Sequence, residues 1–218
     1  MTPRSFLLDD RLNAYVLGHT EPPDDVLARL TERTAGLGDV AGMQIGPDQA
    51  ALLTMLTRFA GVTSAVEVGT FTGTSALCIA RGLADGGRLL CCDVSEEWTA
   101  IARASWAEAG IDDRIELRIA PGIETLSSLP DDESIDLAFI DADKPGYLSY
   151  YEELVPRLRP GGWIVADNTL WSGSIVDPDV TDANTEALRA YNDRAAADER
   201  VTTVLLALAD GLTVSQKR

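Results

Sequence analysis

The sequence predicts an α/β fold in which a mostly parallel, seven-stranded sheet carries helices on both faces. Short apolar runs alternate with helical patterns after Ser64, as they do in the βαβ units of parallel sheets. The last two apolar runs, 201–207 and 212–215, are separated by Ala209-Asp210-Gly211. This turn signal predicts an antiparallel hairpin at the end of the sheet. No strand is needed before Ser64, so we expect helices to precede the sheet.

Two helix starts can be placed in the N-terminal region. The segment Pro22-Pro23-Asp24-Asp25 suits the first turn of a helix, where proline is tolerated and acidic side chains are favoured. Gly46-Pro47-Asp48 opens a second helix in the same way. We therefore expect one domain over residues 1–218, with a helical appendage at 1–62 and an α/β core at 63–218.

Five short, mostly apolar runs predict the strands that precede the hairpin. They lie at 65–68, 88–92, 114–119, 135–140 and 163–166. Amphipathic stretches between and after them predict helices at 74–83, 96–109 and 182–197. In an open parallel sheet of this kind, ligands bind at the carboxyl ends of the strands, so the residues that follow each strand are the candidates for function.

Composition excludes several classes of partner. The 218 residues include 18 Lys+Arg and 35 Asp+Glu, for a formal charge of −17. Nucleic acids and anionic membrane surfaces both select clusters of basic residues, so we expect neither as a partner. The N-terminus lacks the apolar core of a signal peptide, and no apolar run approaches the roughly 20 residues of a membrane span. We expect a soluble, cytoplasmic protein.

A nucleoside-binding crevice is predicted where the first strand becomes the first helix of the core. Gly69 and Gly73 flank a tight turn there, and Asp93 ends the second strand, where a carboxylate can accept hydrogen bonds from ribose hydroxyls. The glycine spacing is not the G-x-G-x-x-G of a dinucleotide site, and Glu67 would repel a pyrophosphate. S-adenosylmethionine carries a sulfonium and no phosphate, so it is favoured over NAD. An NAD-dependent oxidoreductase is the alternative.

Oxygen ligands follow the fourth and fifth strands. Asp141 and Asp143 come directly after the fourth strand, and Asp167 and Asn168 follow the fifth. Because these strand ends should be neighbours, Asp141, Asp167 and Asn168 offer hard oxygen ligands to Mg²⁺, or to another divalent cation such as Mn²⁺ or Ca²⁺. The alternative is that Asp143 and Asp167 only cap the loops that follow.

Three segments carry a resemblance to a known family. They are Glu67-Val-Gly-Thr-Phe-Thr-Gly73, Asp141-Ala-Asp-Lys144 and Asp167-Asn-Thr-Leu-Trp-Ser-Gly173. Together they resemble the cation-dependent small-molecule O-methyltransferases, the caffeoyl-CoA and catechol O-methyltransferase family, from about Met43 to the C-terminus. The resemblance implies a Rossmann-like class I methyltransferase sandwich that uses S-adenosylmethionine. It also implies methyl transfer to a catechol-like or polyphenolic hydroxyl, and a homodimer with the N-terminal helices at its interface.

The resemblance implies roles for individual positions as well. The S-adenosylmethionine site is implied to include Met43, Glu67, Gly69, Ser75, Asp93, Gly122, Asp141, Asp143 and Tyr150. The implied metal ligands are Asp141, Asp167 and Asn168. Lys144 and Asp141 are the implied catalytic residues, with Lys144 as the base, and Lys144 and Trp171 are the implied contacts to the acceptor.

Lys144 deserves its own comparison with arginine, because Lys144 and Lys217 are the only lysines in the chain. A lysine can take up a proton as a base, whereas an arginine cannot. The alternative for Lys144 is a salt bridge to Asp141 or Asp143. A CoA-thioester acceptor would bring several phosphates, and the sequence contains no basic cluster to meet them. We therefore predict a free phenolic acceptor, with a CoA thioester as the alternative.

Overall fold

The computed structural model describes residues 7–218, and none of the helices within them is long and apolar enough to cross a membrane. The strands are β1 (Ser64–Val68), β2 (Arg88–Asp93), β3 (Ile115–Ile119), β4 (Ile135–Ile140), β5 (Leu158–Ala166), β6 (Val201–Leu206) and β7 (Leu212–Lys217). The α-helices are α1 (Asp10–Gly18), α2 (Asp25–Ala35), α3 (Pro47–Phe59), α4 (Thr74–Gly82), α5 (Glu96–Glu108), α6 (Gly122–Ser127), α7 (Tyr147–Arg157) and α8 (Ala183–Ala197). Short 3-10 segments lie at Gly38–Met43, Asp112–Arg114, Lys144–Gly146 and Trp171–Val176.

The sheet has seven strands in the order β3-β2-β1-β4-β5-β7-β6. Strands β1 to β5 pair in parallel, whereas β7 lies antiparallel between β5 and β6. The predicted mostly parallel sheet and its antiparallel C-terminal hairpin are confirmed. The structure adds that the second strand of the hairpin is the one that joins β5.

Helices cover both faces of the sheet, so β4 is buried along its whole length. Leu137 and Phe139 belong to a core that includes residues of α3, α4 and α5. Ala138 and Ile140 belong to a second core, with residues of α6, α7 and α8. Successive side chains of a strand point to opposite faces, which explains why a central parallel strand is apolar throughout rather than alternating with polar residues.

The start of β5 differs from the prediction. The sequence predicts this strand at 163–166, but β5 begins at Leu158 and includes Pro160-Gly161-Gly162. Its pairing with β4 shifts between the pairs Ile135–Leu158 and Leu137–Trp163. A bulge of this kind places extra residues in one strand, and it accommodates the proline and glycines that the sequence alone assigns to a loop.

The predicted helix starts near the N-terminus are confirmed. The Asp24 carboxylate accepts a hydrogen bond from the Leu27 amide at 2.9 Å and pairs with Arg81 of α4 at 2.6 Å. Pro47 occupies the first turn of α3, and Leu53 of α3 packs in the same core as Leu77 of α4. These contacts hold α2 and α3 against α4, on one face of the sheet.

Asp136 joins the amino ends of the three central strands. Its Oδ2 atom accepts hydrogen bonds from the Thr63 amide at 2.7 Å, the Thr63 hydroxyl at 2.8 Å and the Ser64 amide at 2.9 Å. Its Oδ1 atom accepts from Arg159 of β5. Burial raises the pKa of this carboxyl, but Arg159 and the Thr63 and Ser64 donors outweigh burial and hold the pKa below its ordinary value. The ionised form therefore stabilises the fold.

The substitution Asp136→Asn is expected to lower the free energy of unfolding by about 2–4 kcal/mol at pH 7, because the amide cannot serve all these donors. A carboxyl with a lowered pKa contributes stability above its ordinary pKa and loses it as the pH falls through the folded-state value. The difference from the wild type should therefore shrink in acid. Chemical denaturation between pH 7 and pH 3 measures this, with exposed Asp131→Asn as the control. An Asp136→Asn loss that is the same at every pH would contradict the assignment.

Candidate functional site

A cavity of about 1160 Å³ opens at the carboxyl ends of β1, β2, β4 and β5. The structure brings all but one of the predicted site residues to its wall. Those that line it are Met43, Gly69, Ser75, Asp93, Gly122, Asp141, Asp143, Lys144, Tyr150, Asp167, Asn168 and Trp171. Residues that lie far apart in the sequence therefore meet at one edge of the sheet, as the strand-end argument predicts.

Gly69 allows β1 and β4 to end side by side. Its φ is +92°, and a Cβ atom built at this position would lie 1.9 Å from the Asp141 carbonyl oxygen. Only glycine fits such a close approach of two backbones. The tight turn inferred from Gly69 and Gly73 thus has a steric cause, which is the passage of the chain against the end of the neighbouring strand.

Asp93 organises the turn that it faces. Its Oδ2 atom accepts hydrogen bonds from the Thr70 amide at 2.9 Å and the Phe71 amide at 2.8 Å, and its Oδ1 atom accepts from the Ser95 amide at 2.8 Å. Each carboxylate oxygen has more than one acceptor position, so Asp93 can hold the turn and still accept from a ligand in the cavity.

Beside Asp93 the cavity has an apolar wall that the sequence alone did not identify. Val94 is 69% exposed, and Phe71 packs edge-on against Trp98 with ring centroids 5.2 Å apart. All three line the cavity. Trp98 was expected to pack between helices, but its position here suits the flat face of a heterocycle.

The other side of this part of the cavity is formed by Gly122 and Tyr150. The Tyr150 hydroxyl donates to Asp143 Oδ1 at 2.5 Å, which fixes both side chains. A Cβ atom at Gly122 would lie 2.6 Å from Val68 Cγ1 and 3.2 Å from the Tyr150 ring. A small residue is therefore needed where α6 begins.

Glu67 is the predicted site residue that does not reach the cavity wall. Its side chain is fully buried, and neither carboxylate oxygen has a hydrogen-bond partner among residues 7–218. Burial raises the pKa of Glu67 to about 7, although the polar groups of Ser75, Cys91 and Thr70 counter part of the effect. In this structure Glu67 lies behind the turn rather than in the crevice.

Lys144 lies at the centre of the opposite half of the cavity. Its Nζ atom donates to Asp141 Oδ1 at 3.1 Å, to Asn168 Oδ1 at 2.7 Å and to the Tyr147 hydroxyl at 2.7 Å. The residue is 8% exposed, and Nζ lies 5.7 Å from the centroid of the Trp171 ring. The ion pair with Asp141 that the sequence left as an alternative is therefore present.

Asp167 is held by a residue that sequence reasoning missed. Its Oδ2 atom accepts from Gln49 Nε2 at 2.7 Å, and its Oδ1 atom accepts from the Asn168 amide at 2.6 Å. Burial raises the pKa of Asp167 to about 7, with the negative charge of Asp141 as the next cause. Gln49 lies one helical turn before Leu53 on the buried face of α3, and a polar residue on an apolar stripe was the signal that could have identified it.

Tyr147 was also missed. Its hydroxyl accepts from Lys144 and donates to the Asp167 main-chain carbonyl at 3.0 Å, so it joins the ends of β4 and β5. Burial raises the pKa of this phenol well above its ordinary value, and the hydroxyl keeps its proton. Its only signal in the sequence is its position three residues after Lys144.

The residues at this end of the cavity fit a divalent cation by the chemistry of their donors. Asp141, Asp167 and Asn168 supply two carboxylates and an amide oxygen, the hard ligands that Mg²⁺, Mn²⁺ and Ca²⁺ prefer. The raised pKa of Asp167 reflects a buried negative charge near a second one, which a cation would relieve. Within residues 7–218, no group of three or more His, Cys, Asp or Glu side chains is arranged for a metal ion, so any cation would depend on Asn168 as its third protein ligand.

Charge in the cavity is strongly asymmetric. Among the described residues that line it, the ionisable side chains of the carboxyl and amino types are Asp93, Asp141, Asp143, Asp167, Asp210 and Lys144. No arginine lines it. A ligand with several phosphates would meet repulsion here, whereas a cationic or neutral ligand would not.

Comparisons with known proteins agree on one family. The sequence profile of a family described as O-methyltransferase matches residues 19–218. The probable caffeoyl-CoA O-methyltransferase 2 of Dictyostelium discoideum is 38% identical over 207 residues, covering 93% of this chain and 90% of that protein. Tricin synthase 1 of Oryza sativa subsp. japonica is 36% identical over 235 residues, covering 99% and 91%. The crystal structure of an O-methyltransferase from Bacillus cereus in complex with SAH has a TM-score of 0.88 at 28% identity, covering 95% of this chain and 97% of that one.

The buried Glu67 generates a prediction about stability. A carboxyl whose pKa rises from 4.5 to about 7 on folding stabilises the protein below the ordinary pKa and loses that contribution as the pH rises through 7. Glu67→Gln should match the wild type near pH 5 and exceed its free energy of unfolding by up to about 3 kcal/mol near pH 9. Urea denaturation of the ligand-free chain at both pH values measures this, with exposed Glu124→Gln as the control. A Glu67→Gln chain that is less stable than the wild type at pH 9 would show that the charge is accommodated.

Proposed function

The chain belongs to the O-methyltransferase family, and from this premise we propose that it moves a methyl group from S-adenosylmethionine to a hydroxyl of a catechol-like or polyphenolic small molecule, with the assistance of a divalent cation. It is an S-adenosylmethionine-dependent O-methyltransferase, and the NAD-dependent alternative is set aside. The observation that carries the proposal is the meeting of Asp141, Lys144, Asp167 and Asn168 at one end of a cavity whose other end is formed by Gly69 and Asp93.

The two ends of the cavity suit the two reactants. Asp93 and the apolar wall of Phe71, Val94 and Trp98 fit the nucleoside of S-adenosylmethionine, by ribose hydrogen bonding and by ring contact. A sulfonium tolerates the surrounding carboxylates that would repel a pyrophosphate. Trp171, on the side of Lys144, supplies a flat wall against which a phenol ring can pack.

The residues of the chain have separable tasks in this reaction. Lys144 is the candidate base that takes the proton of the acceptor hydroxyl, and the Tyr147 and Asn168 contacts keep its Nζ atom at the cavity wall. Gln49 orients Asp167, and Trp171 limits where the acceptor ring can lie. Fixing the acceptor oxygen in line with the methyl group supplies much of the rate in such a transfer.

The candidate cation ligands are Asp141, Asp167 and Asn168. When bound, a divalent cation there would lower the pKa of a phenol, which ordinarily lies near 10, and S-adenosylmethionine would supply the methyl group. The buried Asp167 and its orientation by Gln49 support this assignment. The homodimer, the cytoplasmic location and the division into a helical appendage at 1–62 and a core at 63–218 stay predictions.

A CoA-thioester acceptor is the second candidate, because one of the similar proteins is named as a caffeoyl-CoA O-methyltransferase. The lining of the cavity favours the free phenol instead. Lys144 is the one basic side chain among the described lining residues, and it is already occupied by three oxygen partners. Phosphates of a CoA moiety would need basic residues outside this cavity.

A methyl-transfer assay tests both the reaction and the acceptor. We expect transfer from S-adenosylmethionine to catechol and to caffeate in the presence of Mg²⁺, with lower kcat/KM for caffeoyl-CoA, because the cavity repels phosphates. Excess EDTA is expected to abolish the transfer. Asp141→Ala and Asp167→Ala should each reduce kcat/KM by at least about 100-fold, since residues that only orient metal ligands already cost 10- to 100-fold.

The control for these variants is Asp112→Ala, which removes an exposed carboxylate that does not line the cavity. It should retain the activity of the wild type. Full activity after EDTA treatment would contradict the role of the cation, and a preference for caffeoyl-CoA would replace the free phenol by the thioester as the acceptor.

The base assignment of Lys144 is tested by two substitutions. Lys144→Ala is expected to lower kcat by about 10²- to 10⁴-fold, while the Kd of S-adenosylmethionine measured by calorimetry changes by less than about threefold. Lys144→Arg keeps a positive charge beside Asp141 but cannot take a proton, so it should be as slow as Lys144→Ala. An arginine variant close to wild-type kcat would make the residue an ion-pair partner, and a loss mainly in cofactor affinity would make it a binding residue.

A further inference from the structure

The wall of the cavity on the acceptor side is an irregular segment between β5 and α8. Trp171 and Ser172 of this segment line the cavity, as does Asn184 in the first turn of α8. Residues 174–180 continue around the outside of the molecule before α8 begins. The position of Trp171 therefore depends on what holds this segment in place.

The backbone of the segment is strained where it lines the cavity. Trp171, Ser172 and Gly173 have φ values of 47°, 51° and 85°, so three consecutive residues adopt the left-handed conformation. This conformation is unfavourable for side chains other than glycine and persists only where the surroundings hold it. On one side, Asp210 Oδ1 accepts a hydrogen bond from the Ser172 amide at 2.6 Å.

Apolar packing does little to hold the other side of the segment. Val176 is 80% exposed, and residues 177–179 are exposed as well. Ile175 is the residue of this stretch that packs against the core. Polar contacts must therefore supply most of the order of residues 174–180.

Arg189 of α8 supplies these contacts. Its Nε atom donates to the Ile175 carbonyl at 2.9 Å, and Nη2 donates to the carbonyls of Ser174, at 3.0 Å, and of Asp177. Nη1 donates to the Val180 carbonyl at 2.9 Å and to the Glu186 carboxylate. A guanidinium has five N–H groups in a fixed plane, so every donor of Arg189 has a partner, and four of the five partners are main-chain carbonyls of one segment.

The helix that carries Arg189 is itself well anchored. Leu188 and Tyr191, its neighbours on α8, are fully buried. Asn192 Nδ2 donates to the Thr169 carbonyl at 2.8 Å, and Asn192 Oδ1 accepts from the Thr213 hydroxyl of β7 at 3.1 Å. Arg189 thus connects the exposed segment to a rigid part of the fold.

We propose that Arg189 is a positioning residue for the methyl acceptor: by binding the carbonyls of residues 174–180 it fixes the strained Trp171–Ser172 wall against which the acceptor lies. The inference rests on the proposed function, because it assigns this end of the cavity to the acceptor. Arg189 does not line the cavity, so it acts through the segment and not by contact with either reactant.

The test compares acceptor kinetics in Arg189→Met and Arg189→Lys with two controls on the same helix. Glu186→Gln removes one partner of Arg189 but leaves its four carbonyl contacts. Arg194→Met removes an arginine whose ion pairs, to Glu152 at 2.7 Å and Asp198 at 3.2 Å, lie away from the cavity. Lysine keeps the charge with a single nitrogen, so Arg189→Lys serves if Arg189→Met does not fold.

Arg189→Met is expected to raise the KM for the phenolic acceptor about tenfold or more, and Arg189→Lys by less, because fewer charge-assisted hydrogen bonds hold the segment. The Kd of S-adenosylmethionine should change by less than about twofold in both, and neither control should alter the acceptor KM. An unchanged acceptor KM in Arg189→Met would overturn the inference. So would a parallel loss of cofactor affinity, since it would indicate a general loss of structure.

Hydrogen exchange separates this inference from the proposed function. The amides of residues 172–180 should exchange faster in Arg189→Met than in the wild type or in Arg194→Met, while those of α4 and β1 should not change. If the wild type transfers no methyl group to any acceptor, the proposed function fails. The exchange of these amides then still decides whether Arg189 holds the wall, and unchanged exchange would overturn that part as well.

Discussion

Two main-chain hydrogen bonds align the residues on which the site depends. The Asp141 amide donates to the Val68 carbonyl at 2.8 Å, and the Asp167 amide donates to the Ile140 carbonyl at 2.9 Å. They extend the pairing of β1, β4 and β5 one residue beyond each strand. Because the strand ends are held at one level, the side chains that follow them meet in one place. The absence of a Cβ atom at Gly69 is what lets the first of these ends lie so close to the second.

The aligned strand ends create an electrostatic problem that the chain solves in two parts. Burying a charged group is costly unless it is paired and hydrogen-bonded. Lys144 uses its three donors on Asp141, Asn168 and Tyr147. Asp167 has separate donors, from Gln49 and from the Asn168 amide. Asn168 therefore takes part in both groups, with its side-chain oxygen in one and its main-chain amide in the other.

The sequence predicts the positions that lie directly after a strand and misses those that arrive from elsewhere. Asp141, Asp167 and Asn168 could be placed because an apolar run ends just before them and parallel strands end at one edge. Gln49 could not, since it comes from α3 and meets Asp167 across 118 positions of sequence. Glu67 shows the limit of the strand-end argument, because the alternation of side chains along β1 turns it into the interior instead of the crevice.

The fold of the C-terminal half explains why the two ends of the cavity are built differently. The cofactor side rests on β1, β2 and their tight turns, whereas the acceptor wall is held from α8 and from the turn between β6 and β7. That turn contacts the segment after β5 directly, because the Leu170 amide donates to the Asp210 carbonyl at 2.9 Å and the Thr169 amide to the Gly211 carbonyl at 3.0 Å. A substitution in α8 or in the hairpin can therefore reshape the acceptor wall without passing through the turn at Gly69. Acceptor choice and methyl-donor binding are separable properties of this architecture, as expected where a rigid sheet carries function on its loops.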